Sequence, residues 1–222
     1  TRIMAELGAE VIKVESFDGD DTRGMGPPFI GNISAYFSCA NRNKRSICID
    51  LHKPESAEII RALVLQADIL IENFRTGTAE RLGVGYEALR AINPKLIYCS
   101  ITGFGQDGPY AHKPGYDFVI QAMGGLMSIT GESDDLPGGG PQKAGNAASD
   151  LMAGMFGSVS VLGALFERER SGEGQWIDIS MLDCQVSVLE NAIMRYAITG
   201  RAPEPLGTRH PSATPFQAFP TS

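Results

Sequence analysis

Short apolar runs alternate along this chain with longer stretches in which apolar residues recur at helical spacing. Residues 11–14, 46–50, 67–71, 95–101 and 175–180 each read as a strand: four to seven residues, mostly apolar. Between the second and third runs, Pro54 suits the first turn of a helix, and Ala57, Ile60, Leu63 and Val64 keep helical spacing behind it. Between the third and fourth, residues 79–82 and 86–92 predict two short helices divided by Gly83 and Gly85. Strand–helix–strand units of this length need crossover connections, so they predict a parallel sheet with helices on its faces. The fold class is α/β.

The second half reads differently. Residues 131–145 hold Gly138, Gly139, Gly140 and Pro141 without any usable period and predict a loop. A long helix is predicted over residues 147–170, and its middle, residues 151–166, carries no charge over 16 positions. A membrane span needs about 20 apolar residues, and Asp150 and Glu167 bound this stretch, so a buried central helix is expected. Gly154, Gly157 and Gly163 each cost roughly 1 kcal/mol against Ala in a helix, which predicts close approach of a neighbour along it. Residues 200–215, polar and Pro-containing, read as a connection leaving the α/β core, and residues 216–222 as the start of a strand. Residues 2–8 read as the second half of a helix. Both ends are therefore expected to be cut, and the chain to be a fragment.

Composition narrows the function. Of 222 residues, 26 are acidic and 19 basic, for a net charge of −7, and no basic run exceeds two residues. A nucleic-acid groove needs clustered positive charge to displace counterions, so that partner is not expected. Four Cys (39, 48, 99, 184) and three His (52, 112, 210) form no zinc-ligand spacing and no disulfide framework. Reduced cytoplasmic thiols and no metal site are expected.

Candidate chemistry reduces to a few places. Gly103, Gly105 and Gly108 match a dinucleotide-binding pattern after a predicted strand, but that site needs a helix opening at the third glycine. Pro109 and Pro114 follow instead, so an ordinary glycine-rich turn is predicted. Glu72, Asn73, Phe74 and Arg75 leave the third strand at its carboxyl end, where parallel sheets bind ligands, with Arg81 six residues further on. Asn offers a donor and an acceptor, Phe a stacking face, and Arg a forked grip on phosphate; a polar strand end is the plainer reading. Asp150 stands near the start of the long helix, where a carboxylate is either a cap or a nucleophile kept ionised by the helix dipole.

These features resemble the family III CoA-transferases of the CaiB–BaiF, formyl-CoA-transferase type. The resemblance is carried, in order, by LGAEVIKVE (residues 7–15), GDDTR (19–23), NRNKRS (41–46), ENFRTG (72–77), GFGQDGPY (103–110), KPGYD (113–117), Asp150 with Gly154, and RSGEGQ (170–175). It implies a Rossmann-like parallel sheet with helices on both faces, the large domain of such an enzyme. Residues 1–200 would form that domain in part, without its first strand, and residues 201–222 would begin the connection to a small domain that is mostly absent. The implied activity moves CoA from an acyl-CoA to a small mono- or dicarboxylic acid through an aspartyl anhydride and thioester, with no metal and no resident cofactor. Asp150 falls on the catalytic aspartate; Asn73, Phe74 and Arg81 on CoA contacts, with Arg75 and Lys113 as secondary ones; Tyr116 and Asp117 beside the substrate. The implied assembly is a cytoplasmic, interlinked homodimer without membrane or nucleic-acid partners, and the fragment alone is expected to be inactive. GDDTR followed by MGPPF (25–29) resembles the succinyl-CoA-using, dicarboxylate branch. The alternatives are an α-methylacyl-CoA racemase of the same fold, which needs a His where Tyr116 stands, and a CoA-binding homologue without turnover.

Overall fold

All five predicted strands form, each within two residues of its expected limits. The computed structural model describes residues 1–221, and its contacts divide the chain into two compact units. The first comprises Thr1–Ser100 and Gly157–Ile177. It begins with α1 (Arg2–Glu6) and β1 (Val11–Glu15), then a small antiparallel pair, β2 (Phe29–Ile30) and β3 (Ile33–Ser34). The Ser34 side chain accepts from Phe37 N–H and so caps α2 (Ala35–Asn41). β4 (Lys44–Cys48) then pairs in parallel with β1, Val11 opposite Lys44 through Glu15 opposite Cys48.

In α3 (Pro54–Val64), Pro54 sits in the first turn as its missing N–H allows. Asn93 Nδ2 donates to the carbonyls of Val64 (2.8 Å) and Ala67 (3.1 Å), satisfying acceptors at and beyond the end of that helix. β5 (Ile69–Glu72), α4 (Thr78–Arg81) and α5 (Tyr86–Arg90) lead to β6 (Ile97–Thr102), which pairs in parallel with β5. The α/β class with parallel pairing is therefore borne out. The first unit's core is Ile49, Ile60, Val64, Ala79, Val84, Leu89, Leu96 and Tyr98, with Val14, Leu70 and Phe74 packed against it. The buried Tyr98 hydroxyl donates to the Val84 carbonyl at 3.1 Å, so its one polar atom is paired.

The second unit comprises Ile101–Phe156 and the chain from Asp178 onward. Its helices include α6 (Asp117–Met123) and the first turns of α7 (Ala148–Ser171). After β7 (Trp176–Ser180), which joins the ladder beside β6, come α8 (Met181–Ser187) and α9 (Glu190–Thr199), the last ended by Gly200 at φ +68°. No helix opens at Gly108, so the glycine-rich turn is as expected. Residues 131–145 hold neither helix nor strand. Neither do residues 216–221, which corrects the expected strand; Ser222 lies outside the described residues.

The long helix differs from expectation in its burial. Only one stripe of α7 is covered, at Ala153, Val161 and Ala164, while Leu151, Met155, Val159 and Phe166 are exposed. A Cβ built on Gly154 or Gly163 would meet nothing within 4 Å. The helix is apolar on more than one face, and the described residues cover one of them. By length and composition alone, α7 could cross a membrane. Its far end is held by polar contacts instead: Arg168 pairs with Asp68 at 2.8 Å and donates to the Lys95 carbonyl at 3.1 Å.

Candidate active site

Each unit carries one group of the predicted site residues. In the first, the chain leaves β5 through a tight turn in which the Glu72 side chain accepts from Phe74 N–H at 2.7 Å. The turn leaves Asn73 and Arg75 exposed and half-buries the Phe74 ring against the core. Phe74 is thus first a packing residue. Gly77, at φ +78°, turns the chain into α4, a conformation with low cost only for glycine. On α4, Arg81 donates to the Thr78 hydroxyl at 2.7 Å.

Arg81 reaches a groove of about 430 Å³ lined also by Leu51, His52, Lys53, Pro54, Thr78 and Leu82. Three cation-capable side chains and a hydroxyl share this groove with an apolar wall of Leu51 and Leu82. Such a lining suits an anionic ligand with an apolar or aromatic part. His52 and Lys53 were missed in the sequence reading. Their signal was weak, two polar residues ahead of Pro54, and only the fold brings the start of α3 to Arg81. Asn73 and Arg75 do not line the groove.

In the second unit, Tyr116 stands in an extended conformation immediately before α6, without a side-chain capping bond, and is 66% exposed. Asp117 follows in the first turn. One of its oxygens accepts from Ser149 N–H at 2.8 Å and the other from Gln121 Nε2 at 2.8 Å. The first turn of α7 is therefore held by a carboxylate from α6, which satisfies one of the amides that a helix start leaves unpaired. Ser149 also donates its hydroxyl to Gln185 Oε1, and Gln185 Nε2 donates to the Ile120 carbonyl at 3.1 Å. Asp150 stands next to this anchored residue, at an exposed edge of the helix start.

Partial burial, with the negative Asp117 close by, pushes the Asp150 carboxyl above the ordinary aspartate range. The ammonium of Lys113 lies 4.1 Å from the centre of the Tyr110 ring, a cation–π contact. The fold thus brings Asp150, Asp117 and Tyr116 to the neighbouring starts of α6 and α7. Gln121, Ser149 and Gln185, which connect them, carry no sequence signal of their own.

The whole chain, residues 1–222, matches the profile of CoA-transferase family III. It is 50% identical to a succinate–glutarate CoA-transferase of Agrobacterium fabrum, over 100% of this chain and 56% of that protein. It is 46% identical to an acetyl-CoA:oxalate CoA-transferase of Acetobacter aceti, over 99% of this chain and 56% of that one. Among solved structures, a CaiB/BaiF family protein from Brucella suis superimposes with a TM-score of 0.90 at 49% identity, covering 96% of this chain and 57% of that one. The chain thus spans about half the length of these relatives.

Proposed function

The chain belongs to CoA-transferase family III, and from that premise we propose that the whole protein moves CoA from an acyl-CoA, succinyl-CoA by preference, to a small dicarboxylic acid. The observation that carries this reading is Asp150: a carboxylate at an exposed helix start, beside Asp117 and next to an anchored Ser149. The dicarboxylate names of similar proteins support the acid class.

In this reading an Asp150 oxygen attacks the thioester carbonyl, the C–S bond breaks, and CoA leaves as thiolate. The thiolate then attacks the Asp150 carbonyl of the mixed anhydride, releasing the donor acid and leaving an aspartyl thioester. The acceptor carboxylate attacks that thioester, CoA thiolate leaves again, and its attack on the acceptor's acyl carbon gives the new acyl-CoA and restores Asp150. Splitting the exchange into these steps is the advantage of covalent catalysis. Amide donors near the start of α7 would stabilise the oxyanions, and Tyr116 would donate to a substrate carboxylate.

The groove at Arg81, Lys53 and His52 would hold the phosphates of CoA, and Asn73, Phe74 and Arg75 would supply the further CoA contacts that the family resemblance implies. Lys113 would be a secondary CoA contact, as the family resemblance implies. Residues 1–200 would form part of the large domain and residues 201–222 the start of the connection. The complete enzyme would be an interlinked cytoplasmic homodimer.

The test uses the full-length protein with succinyl-CoA, a panel of dicarboxylates and hydroxylamine. The expected result is acid-dependent CoA exchange, a hydroxamate mass increment at Asp150, and loss of exchange in Asp150→Asn with CoA binding retained. Turnover at the wild-type rate in Asp150→Asn would end the assignment. Deuterium uptake at the α-carbon of a 2-methylacyl-CoA, without acid-dependent exchange, would replace it with racemisation.

A further inference from the structure

Gln121 lies on α6 with no exposed surface, yet every polar end of its amide is in use. Nε2 donates to Asp117 at 2.8 Å and to the Asn146 carbonyl at 3.3 Å, while Oε1 accepts from Ala144 N–H at 2.9 Å. One side chain therefore links α6 to the two residues that bring the loop into α7. Because Asp117 accepts at both oxygens, its contacts are those of a carboxylate, with Gln121 on one side and Ser149 N–H on the other. Rotating that carboxylate would break both bonds.

We propose that Gln121 is a positioning residue for Asp150: its amide pins the Asp117 carboxylate against the start of α7 and so keeps a negative charge beside the nucleophile. The proposal rests on the transferase reading for what Asp150 does, though not for the arrangement itself. An apolar side chain of similar length would fill the same space and hold the helices together. It could not orient Asp117, because it has no hydrogen to donate. The amide thus has an electrostatic consequence separable from its packing. Partial burial and the Asp117 charge pinned close both raise the Asp150 carboxyl, which makes it a better nucleophile once ionised and a poorer leaving group from the anhydride.

Charged groups joined to Gln121 directly or through one bonded neighbour are Asp117 on its own helix and Lys143 on the preceding loop, and Asp117 in turn acts on Asp150 of α7. The Lys143 ammonium donates to the Ala144 and Asn146 carbonyls. From α8 comes the neutral Gln185.

Two variants of the full-length protein test the role, Gln121→Met and Gln121→Asn, the second too short to reach Asp117. The readout is the titration of Asp150, followed by carboxyl-carbon NMR of protein labelled at aspartate and assigned with Asp150→Asn. The acid limb of the kcat–pH profile is followed in parallel. With Asp117 released toward water, Asp150 should titrate lower by roughly half a pH unit in both variants, the size expected for moving one charge a few ångströms in a partly solvated site.

Gln185→Met is the comparison. It severs the Ser149 hydroxyl contact and lowers stability, but it leaves Asp117 on Gln121 and should leave the titration in place. An unshifted Asp150 in either folded Gln121 variant, or an equal shift in Gln185→Met, overturns the proposal. The NMR titration needs no turnover, so absence of CoA exchange in the wild type would count against the transferase reading alone.

Discussion

Gly103 and Gly115 cross with almost no space between their backbones. A Cβ added at Gly115 would lie 2.4 Å from Gly103 Cα, and one added at Gly103 would lie 2.4 Å from Gly115 Cα. Ordinary contact begins near 3.4 Å, so Gly115→Ala must open the crossing by about 1 Å, and both obstructing atoms belong to backbone. Overpacking of this kind costs about 1–3 kcal/mol, or a Tm loss of roughly 2–4 °C for each kcal/mol at this chain size. The functional cost should be larger than the stability cost. Tyr116 and Asp117 follow Gly115 directly, and an error of about 1 Å at a reacting centre can cost on the order of 100-fold in rate.

The assay is CoA exchange by full-length Gly115→Ala, with thermal unfolding beside it. Expected are a kcat reduced roughly 10- to 100-fold and a nearly unchanged KM for acyl-CoA. Gly108→Ala is the control: Gly108 has φ +86° with nothing within 4 Å of an added Cβ, so only backbone strain enters. That variant should lose about 1 kcal/mol and keep its kcat. Wild-type kcat and Tm in Gly115→Ala would refute the tight crossing and its role in placing α6.

Two further outcomes follow from the first unit. Arg81→Ala should raise KM for acyl-CoA about tenfold, the loss of one charge-assisted phosphate contact, with kcat little changed because that contact is equal in ground and transition states; a fall in kcat at constant KM would remove Arg81 from the CoA groove. Glu15 is buried beneath a bidentate Arg23 contact (2.8 and 2.9 Å) and also accepts from Ser46 and Asp20 N–H, so its carboxyl is held down at about 2 against an ordinary 4.5. A lowered carboxylate stabilises the fold fully above its unfolded value and progressively less as pH falls toward the folded one. Discounted for the half-exposed Arg23, Glu15→Gln should cost about 1 kcal/mol near neutrality, and its Tm gap from wild type should narrow below about pH 4.5; a gap independent of pH would show that the contact is packing alone.

What could be read from the sequence, and what could not, divides along the range of the forces involved. The strands at residues 11–15, 69–72 and 97–102 were visible because a parallel sheet favours short runs rich in β-branched and apolar residues, a local signal. So were α3 and α7, long enough for their spacing or composition to show. The helix at Asp117–Met123 was not: seven residues behind two prolines carry little helical signal. Its start is held through Asp117 and Gln121, whose partners Ser149 and Asn146 lie 32 and 25 residues away. The α9 helix was missed although Gly200 marks its end, because the glycine was read as the first residue of a connection.

The site shows the same division. Of the candidates named by one rule about strand ends, Arg81 lines the groove, Asn73 and Arg75 do not, and Phe74 packs against the core; Asp150 is a candidate from its position at a helix start. His52 and Lys53 were not candidates, since nothing in their own surroundings distinguishes them from a polar turn before Pro54. Gly103 is the sharpest case. Its neighbours spell a phosphate-binding pattern, but the helix that pattern needs does not open at Gly108. Yet the reason for the glycine lies in Gly115, twelve residues on, at a crossing that local sequence does not encode. A motif search asks what a glycine's neighbours are, and here the requirement comes from a backbone that only the fold brings near. The two glycines should therefore be exchangeable only together with a change in the path between them, and single alanines at either position should fail in the same way, through displacement of Tyr116 and Asp117.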